Sequence, residues 1–332
     1  MRSFAMLSNL KSSHILVTGG AGFMGSAFIR YVLEKEGFSG HISNLDLLTY
    51  AGNLENLQQI EKDRRYSFFH GDIRNEALLK SIDEKRAVDV IVHFAAETHV
   101  DRSISSPKAF LETNILGTYS LLDFVKDRPN IHFHHISTDE VYGALGHEGV
   151  FTETSPYMPN SPYSASKASS DHFVRAYAVT YGLSTTISHS SNNYGPFQYP
   201  EKFIPLMIKN AFLKKPLPVY GNGENLREWL FVEDHARAVW TILNSGEKGE
   251  VYNIGGVEMS NIHLLRSIIK HLEEISGERG LESLITFVSD RPGHDFRYAI
   301  DNSKIEALGF EPKWSLEEGL IETIKTFRGA LV

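Results

Sequence analysis

Residues 136–143 read ISTDEVYG and set two carboxylates, Asp139 and Glu140, side by side at the end of an apolar run. Like charges repel, and burying a carboxylate costs free energy unless it is paired or employed. The same repulsion drives the two pKa values apart, so that one group holds a proton while its neighbour stays ionised. An acid and a base one residue apart are thus available. Further on, SPYSASK at 161–167 places Tyr163 and Lys167 four residues apart, on one face of a helix near its N-terminus. A lysine ammonium beside a phenol, helped by a cationic cofactor ring, stabilises phenolate and lowers the tyrosine from its usual value of about 10. Such a tyrosine takes a proton from an alcohol while hydride leaves the same carbon.

A hydride acceptor has a place upstream. Gly19-Gly20-Ala21-Gly22-Phe23-Met24-Gly25 satisfies both G-x-G-x-x-G and G-x-x-G-x-x-G, directly between the apolar run HILVTGG (14–20) and a segment, Gly22 to Glu36, whose apolar residues repeat with a helical period. Glycines there permit a tight turn and close approach of a diphosphate to the helix N-terminus. Asp46 ends the second apolar run, where a carboxylate accepts hydrogen bonds from ribose hydroxyls and repels a 2′-phosphate, so NAD is expected rather than NADP. Asp72 closes the third run at the same edge, with adenine contact and loop capping both open.

These groups need a scaffold that brings strand ends together. Short apolar runs at 41–48, 66–72, 88–96, 131–138 and 184–190 alternate with helix-length segments, the pattern of a parallel sheet covered by helices on both faces. VDVIVHFAA (88–96) is apolar almost throughout, as a strand buried on both sides should be. From about Pro196 prolines cluster, turn signals multiply and helices at 234–245, 260–275 and 315–328 dominate. The expected fold class is α/β: a Rossmann-type doubly wound parallel sheet with a smaller, mainly helical C-terminal substrate-binding domain. The expected division is 14–195 for NAD and 196–332 for substrate, with a strand near 250–256 returning to the main sheet.

Composition narrows the classes. Of 332 residues 42% are hydrophobic and 22% charged, which suits a globular protein. A net charge of −8 leaves no basic stripe for nucleic acid. Without cysteine there is no disulfide framework, thiolate zinc site or cysteine nucleophile. His132 and His134 share a strand face beside His135, but no carboxylate stands at ligand spacing, so no metal is expected. The first thirteen residues lack the apolar run of a signal peptide, and no stretch reaches the ~20 apolar residues of a membrane span. A cytoplasmic protein is expected.

Gly19-x-x-Gly22-x-x-Gly25, Tyr163-x-x-x-Lys167 and the strand end ahead of that helix resemble the extended short-chain dehydrogenase/reductase family of nucleotide-sugar enzymes, from about residue 14 to the C-terminus. STDEVYG at 137–143 resembles the signature of its nucleotide-sugar 4,6-dehydratases. The resemblance implies a sugar oxidised at C4, dehydrated across C5 and C6, and reduced at C6. It makes Asp139 the acid for water loss and Glu140 the base at C5, with Thr138 and Tyr163 at the C4 hydroxyl and Ser137 or Thr138 holding that hydroxyl. It adds Phe23, Met24, Ile73, Ala95 and Ala96 to the cofactor contacts, with Tyr163 and Lys167. AAETHVDRSI (95–104) resembles a loop over cofactor and sugar, where His99 or Glu97 touches substrate. SSNNYGPFQYPEKFIP (190–205) resembles the substrate loop and supplies Asn192 and Lys202, while Arg227 and Arg291 resemble diphosphate contacts. The implied substrate is dTDP-glucose, with UDP-glucose as the alternative. A 4-epimerase or a decarboxylase on the same scaffold would have no use for Asp139, and a non-catalytic NAD-binding regulator would have none for the full set. Met24 for isoleucine, Asn222 for aspartate and Phe296 for a basic residue depart from the family pattern, the last two in the nucleotide region. Helices near 107–128 and 162–181 resemble the pair through which relatives dimerise. Gly117 in the first either admits a neighbouring backbone or is tolerated at a cost of up to about 1 kcal/mol.

Overall fold

The computed structural model describes residues 10–290 and 295–331. The central sheet is built from β1 (His14–Thr18), β2 (His41–Asp46), β3 (Tyr66–His70), β4 (Val90–His93), β5 (His132–Thr138), β6 (Ser184–Ser190) and a late strand, Val251–Ile254. In space they run Val251–Ile254, β6, β5, β4, β1, β2, β3, and every neighbouring pair is parallel. Strands β1, β4, β5 and β6 are buried at every residue, because helices cover both faces. From β1 the chain winds outward through β2 and β3, then crosses back to β4 and continues to β5 and β6. The order therefore reverses at β1 and β4, where a crevice opens at the carboxyl ends of the strands, the usual ligand position in such sheets. This is a Rossmann-type doubly wound fold.

The two-residue period of a strand divides the core. Ile15 and Val17 of β1 join Phe28, Val32, Val239 and Ile242 from helices Phe23–Lys35 and Val232–Ser245. Leu16 between them joins Leu79, Leu121, Val125 and Val174 on the opposite face. A third core unites helices Phe203–Phe212, Asn261–Ser276 and Leu316–Leu331 through Ile208, Leu265, Ile268 and Ile324. It carries two small sheets, one of Asn192–Tyr194, Leu226–Phe231 and Val257–Ser260, the other of Leu217–Tyr220 and Ile285–Val288. Helical periodicity alone did not disclose them, since strands of three to six residues amid turn signals carry little alternation.

Two helices deserve detail because they position the site. Pro162–Tyr181 starts in a reciprocal cap: Ser164 N donates to Ser161 Oγ at 3.0 Å and Ser161 N to Ser164 Oγ at 3.0 Å. It ends at Gly182, whose φ of 71° is left-handed. The helix across 108–126 widens to π turns over Leu111–Gly117. A Cβ on Gly117 would meet Ile73 Cδ1 at 2.5 Å, so this glycine makes room for a side chain of its own chain and not for a neighbouring backbone. No described helix is long and apolar enough to cross a membrane.

Candidate active site

One cleft of about 560 Å3 follows the carboxyl ends of the strands, within the range of small-molecule sites. It gathers Gly19, Gly22, Phe23, Met24, Gly25, Asp46, Asp72, Ile73, Ala95, Ala96, Glu97, His99, Ser137, Thr138, Asp139, Glu140, Tyr163, Lys167, Asn192, Lys202 and Arg227. Arg291 lies outside the described residues.

The glycine loop is closed by its own backbone. Gly19 has φ 70°, and a Cβ there would come within 2.6 Å of Ala95 N; a Cβ on Gly25 would come within 2.4 Å of Gly19 O. Asp46 pins the loop from the side, its Oδ2 accepting from Ala21 N at 2.9 Å and its Oδ1 from Leu48 N at 2.8 Å. Burial raises its pKa and the two amide donors oppose the rise. A narrow backbone cradle opening a helix, flanked by a carboxylate that lines the cleft, has the donor and acceptor set for a dinucleotide lacking a 2′-phosphate. Asp72 also lines the cleft, while its carboxylate accepts from Arg74 N at 2.8 Å and pairs with the Arg74 guanidinium at 2.7 Å. The loop-capping arrangement is therefore present.

At the end of β5 the chain turns sharply through Asp139–Tyr142, with Gly143 at φ 91° where a Cβ would strike Met158 O. Thr138 Oγ1 accepts from Glu140 N at 3.3 Å and donates to Asp139 Oδ1 at 3.2 Å. Asp139 is buried, and its Oδ2 has no hydrogen-bond partner among the described residues. Burial, then the charges of Glu140 and Glu228, push its pKa well above the usual carboxylate range, with Arg227 opposing. Asp139 thus holds its proton more tightly than an ordinary carboxyl, whereas Glu140 is only partly buried. The split expected from adjacency has burial as its larger cause.

Tyr163 is buried, and burial followed by the charge of Glu140 raises its phenol; a hydrogen bond with Thr138 works the other way. The Lys167 ammonium shares the cleft with the phenol but sends its hydrogen bonds elsewhere. It donates to Ile136 O at 2.7 Å and lies 3.4 Å from His135 Nε2. Burial lowers its pKa to about 8, against the charge of Asp171. His132 and His134 turn to the hydroxyls of Ser184, Thr186 and Ser188 on β6.

On the other wall, loops from both cores meet. Arg102 pairs with Glu201 at 2.8 Å and stacks on Tyr50 at 3.9 Å, while Lys202 Nζ donates to Thr98 O at 2.9 Å. His99 caps the helix Val100–Ser105 through Arg102 N, with Nε2 3.7 Å from Glu201. Arg227 is buried, stacks on Tyr298 at 4.4 Å and donates to the carbonyls of Asp295 and Phe296, so it organises the segment that follows residue 294 as well as lining the cleft. Asn222 and Phe296 stay out of the lining: Asn222 bonds to Glu224 on an exposed turn, and the Phe296 ring packs on His147.

Sequence reasoning missed Asn114, Tyr298 and Asp171. Asn114 holds Glu97 through both its amide groups, at 2.8 and 3.0 Å, and donates to Ser166 on the tyrosine helix; nothing in its neighbours marks it. Tyr298 lines the cleft beside Arg227, again without a local signal. Asp171 had one, since it continues the series Tyr163, Lys167 by another four residues.

The fold and site define a class: a dinucleotide-binding α/β enzyme whose cleft carries Tyr163 and Lys167 on one helix and two adjacent carboxylates at the end of β5. The chain belongs to the GDP-mannose 4,6 dehydratase family, whose model matches residues 16–323. It is 51% identical to a dTDP-glucose 4,6-dehydratase of Escherichia coli, covering 93% of this chain and 92% of the relative. The dTDP-glucose 4,6-dehydratase of Streptomyces venezuelae, solved with NAD and TYD bound, superposes with a TM-score of 0.89 at 47% identity over 95% of this chain and 97% of that one. The Bacillus anthracis dTDP-glucose 4,6-dehydratase in complex with NAD gives 0.87 at 46%, over 96% and 97%.

Proposed function

We propose that this chain catalyses the NAD-dependent dehydration of dTDP-glucose to dTDP-4-keto-6-deoxyglucose, by C4 oxidation, loss of water across C5 and C6, and hydride return to C6. The observation that carries the reading is Asp139: a buried carboxyl that burial disposes to keep its proton, with one oxygen unpartnered among the described residues, in the cleft that holds Tyr163. Neither a 4-epimerase nor a decarboxylase expels a C6 hydroxyl. Relatives near 50% identity named for dTDP-glucose favour that nucleotide over UDP.

Bound NAD supplies the chemistry of taking the C4 hydride and giving it back at C6. The residues do the rest. Gly19, Gly22 and Gly25 admit the diphosphate, with Phe23 and Met24 beside them; Asp46 accepts from ribose; Asp72, Ile73, Ala95 and Ala96 wall the cofactor. Tyr163 takes the C4 hydroxyl proton, with Thr138 orienting that hydroxyl and the Lys167 charge favouring phenolate. Once C4 is a ketone the C5 proton is acidic, and Glu140 removes it while Asp139 protonates the departing C6 hydroxyl. His99, Asn192, Lys202 and Arg227 hold the nucleotide sugar.

The protein acts in the cytoplasm as a homodimer. Leu111, Leu116, Tyr119, Phe173, Val179 and Tyr181, on helices spanning 108–126 and 162–181, are all exposed, which is the apolar face that a second copy would cover. Purified protein incubated with dTDP-glucose should yield the 4-keto-6-deoxy sugar, and the Glu140→Gln variant should oxidise C4 yet stall before water loss. Unreacted dTDP-glucose with the wild-type protein, or equal turnover of UDP-glucose, would overturn the assignment.

A further inference from the structure

Behind the cleft, on the face of helix Pro162–Tyr181 that carries Tyr163 and Lys167, a third member of the series is buried. Asp171 does not line the cleft. Its Oδ2 accepts from Ser137 Oγ at 2.8 Å and His189 Nε2 at 3.0 Å, and its Oδ1 lies 3.3 Å from His135 Nε2. That same His135 nitrogen is 3.4 Å from Lys167 Nζ. A single imidazole therefore stands between a buried ammonium and a buried carboxylate, at the end of the strand that carries Thr138 and Asp139. The mechanism uses Lys167 but neither His135 nor Asp171, and buried polar groups of this kind are costly unless they are paired or employed.

We propose that Asp171, held by His135, His189 and Ser137, is the buried counter-charge that keeps Lys167 in its ammonium form, and so a positioning residue for proton removal at C4. The inference rests on the reading of Tyr163 and Lys167 given above. Lys167 is enclosed by protein and donates to one backbone carbonyl. An isolated ammonium in such a place sheds its proton unless an anion faces it. The anion available must itself stay ionised, and two hydrogen bonds to Oδ2 together with the His135 imidazole 3.3 Å from Oδ1 favour that. Burial alone would raise Asp171, but the hydrogen bonds of His135 and His189 outweigh it and hold the carboxyl below the usual carboxylate range. Both histidines are rooted in the sheet, His135 on β5 and His189 on β6, and His189 is fixed in turn by Tyr142 at 2.6 Å and Tyr157 at 2.9 Å.

The other titratable groups around the pair do not supply the charge. His93 on β4 is bound on both ring nitrogens by the hydroxyls of Thr18 and Thr118, and burial holds it neutral. His135 is likewise lowered by burial, to about 4. Asp139, in the turn after β5, is raised by burial and by the neighbouring carboxylates, which disfavours its charged form. Glu140, in the same turn, acts on Tyr163 and Asp139; the charge that favours the ammonium is that of Asp171.

The test is the Asp171→Asn variant, read in two ways. In protein carrying ε-13C-lysine, with the Lys167 signal identified by its loss in Lys167→Met, the wild-type resonance should titrate near pH 8 and the variant's should move down by about one unit or more. In dTDP-glucose turnover, the alkaline limb of kcat/KM should move down by the same amount, so that activity lost at pH 8 returns at pH 6, with KM within about twofold because Asp171 does not line the cleft. A merely structural loss would lower the plateau and leave the limb in place. An unmoved Lys167 titration overturns the proposal whatever the activity. A moved titration in a protein that does not turn over dTDP-glucose upholds the charge pairing and sinks the functional reading instead. Should Asp171→Asn fail to fold, His189→Asn weakens one donor and should shift Lys167 in the same direction by less; no shift there overturns the proposal too.

Discussion

Asp139 and Glu140 share a turn but not an environment. Both line the cleft, but Asp139 is buried with one oxygen unpartnered among the described residues, and Glu140 is only partly buried. The pH dependence follows. The Lys167 ammonium, lowered to about 8 by burial, is charged below that value and loses its proton as pH rises through it. We therefore expect kcat/KM to fall above about pH 8 as Lys167 loses its charge, and to fall on the acid side as the accepting groups Tyr163 and Glu140 take up protons, in a profile measured with dTDP-glucose at saturating NAD. A profile with no fall above about pH 8 would contradict the role given to Lys167. At this scale the sequence disclosed the reacting groups because their spacing is local: one residue apart in STDE, four apart in YSASK. It did not disclose where Lys167 sends its hydrogen bonds, since Ile136 and His135 come from another element. The expectation of an ammonium set against the phenol gave way to one anchored on β5, with Asp171 behind it.

Elements hold these groups at the required distances, and the glycine loop is where the fit is tightest. Replacing Gly25 by alanine puts a Cβ 2.4 Å from Gly19 O and 2.8 Å from Gly20 Cα, both backbone, so the loop has to move. A destabilisation of about 1–3 kcal/mol is expected, with most of the stabilisation by added NAD lost as well, which thermal melting with and without NAD measures. The opposite wall is held more weakly. The Arg102–Glu201 pair joins loops from the two cores, but the arginine side chain is 46% exposed. Exposed pairs contribute about 0–1 kcal/mol, so Glu201→Gln should raise the NAD dissociation rate by no more than about fivefold. Stopped-flow release of NAD would show it. Strands and long helices were legible from periodicity, whereas the π turns of Leu111–Gly117 were not, because Asn114 and Gly117 owe their positions to partners at Glu97 and Ile73.

For the whole molecule the central fact is convergence: a cradle after β1, an acid after β5, a tyrosine on the following helix and side chains of the second core all meet in one cleft. The exposed apolar side chains proposed as a dimer face also belong to the whole. Val179 is 74% and Leu116 50% exposed, so changing both to glutamate should convert a dimer to a monomer in sedimentation without touching the cleft. The overall architecture was readable from the alternation of strand and helix patterns, but the seam between the cores was not, since its contacts join residues about one hundred positions apart, as at Arg102 and Glu201. The most direct test of the account is a single turnover of dTDP-glucose by Asp139→Asn in deuterated water. The account predicts that reduced nicotinamide forms and C5 takes up deuterium, while 6-deoxy product appears about 10²–10⁴ times more slowly than in the wild type. Product release at the wild-type rate would contradict it.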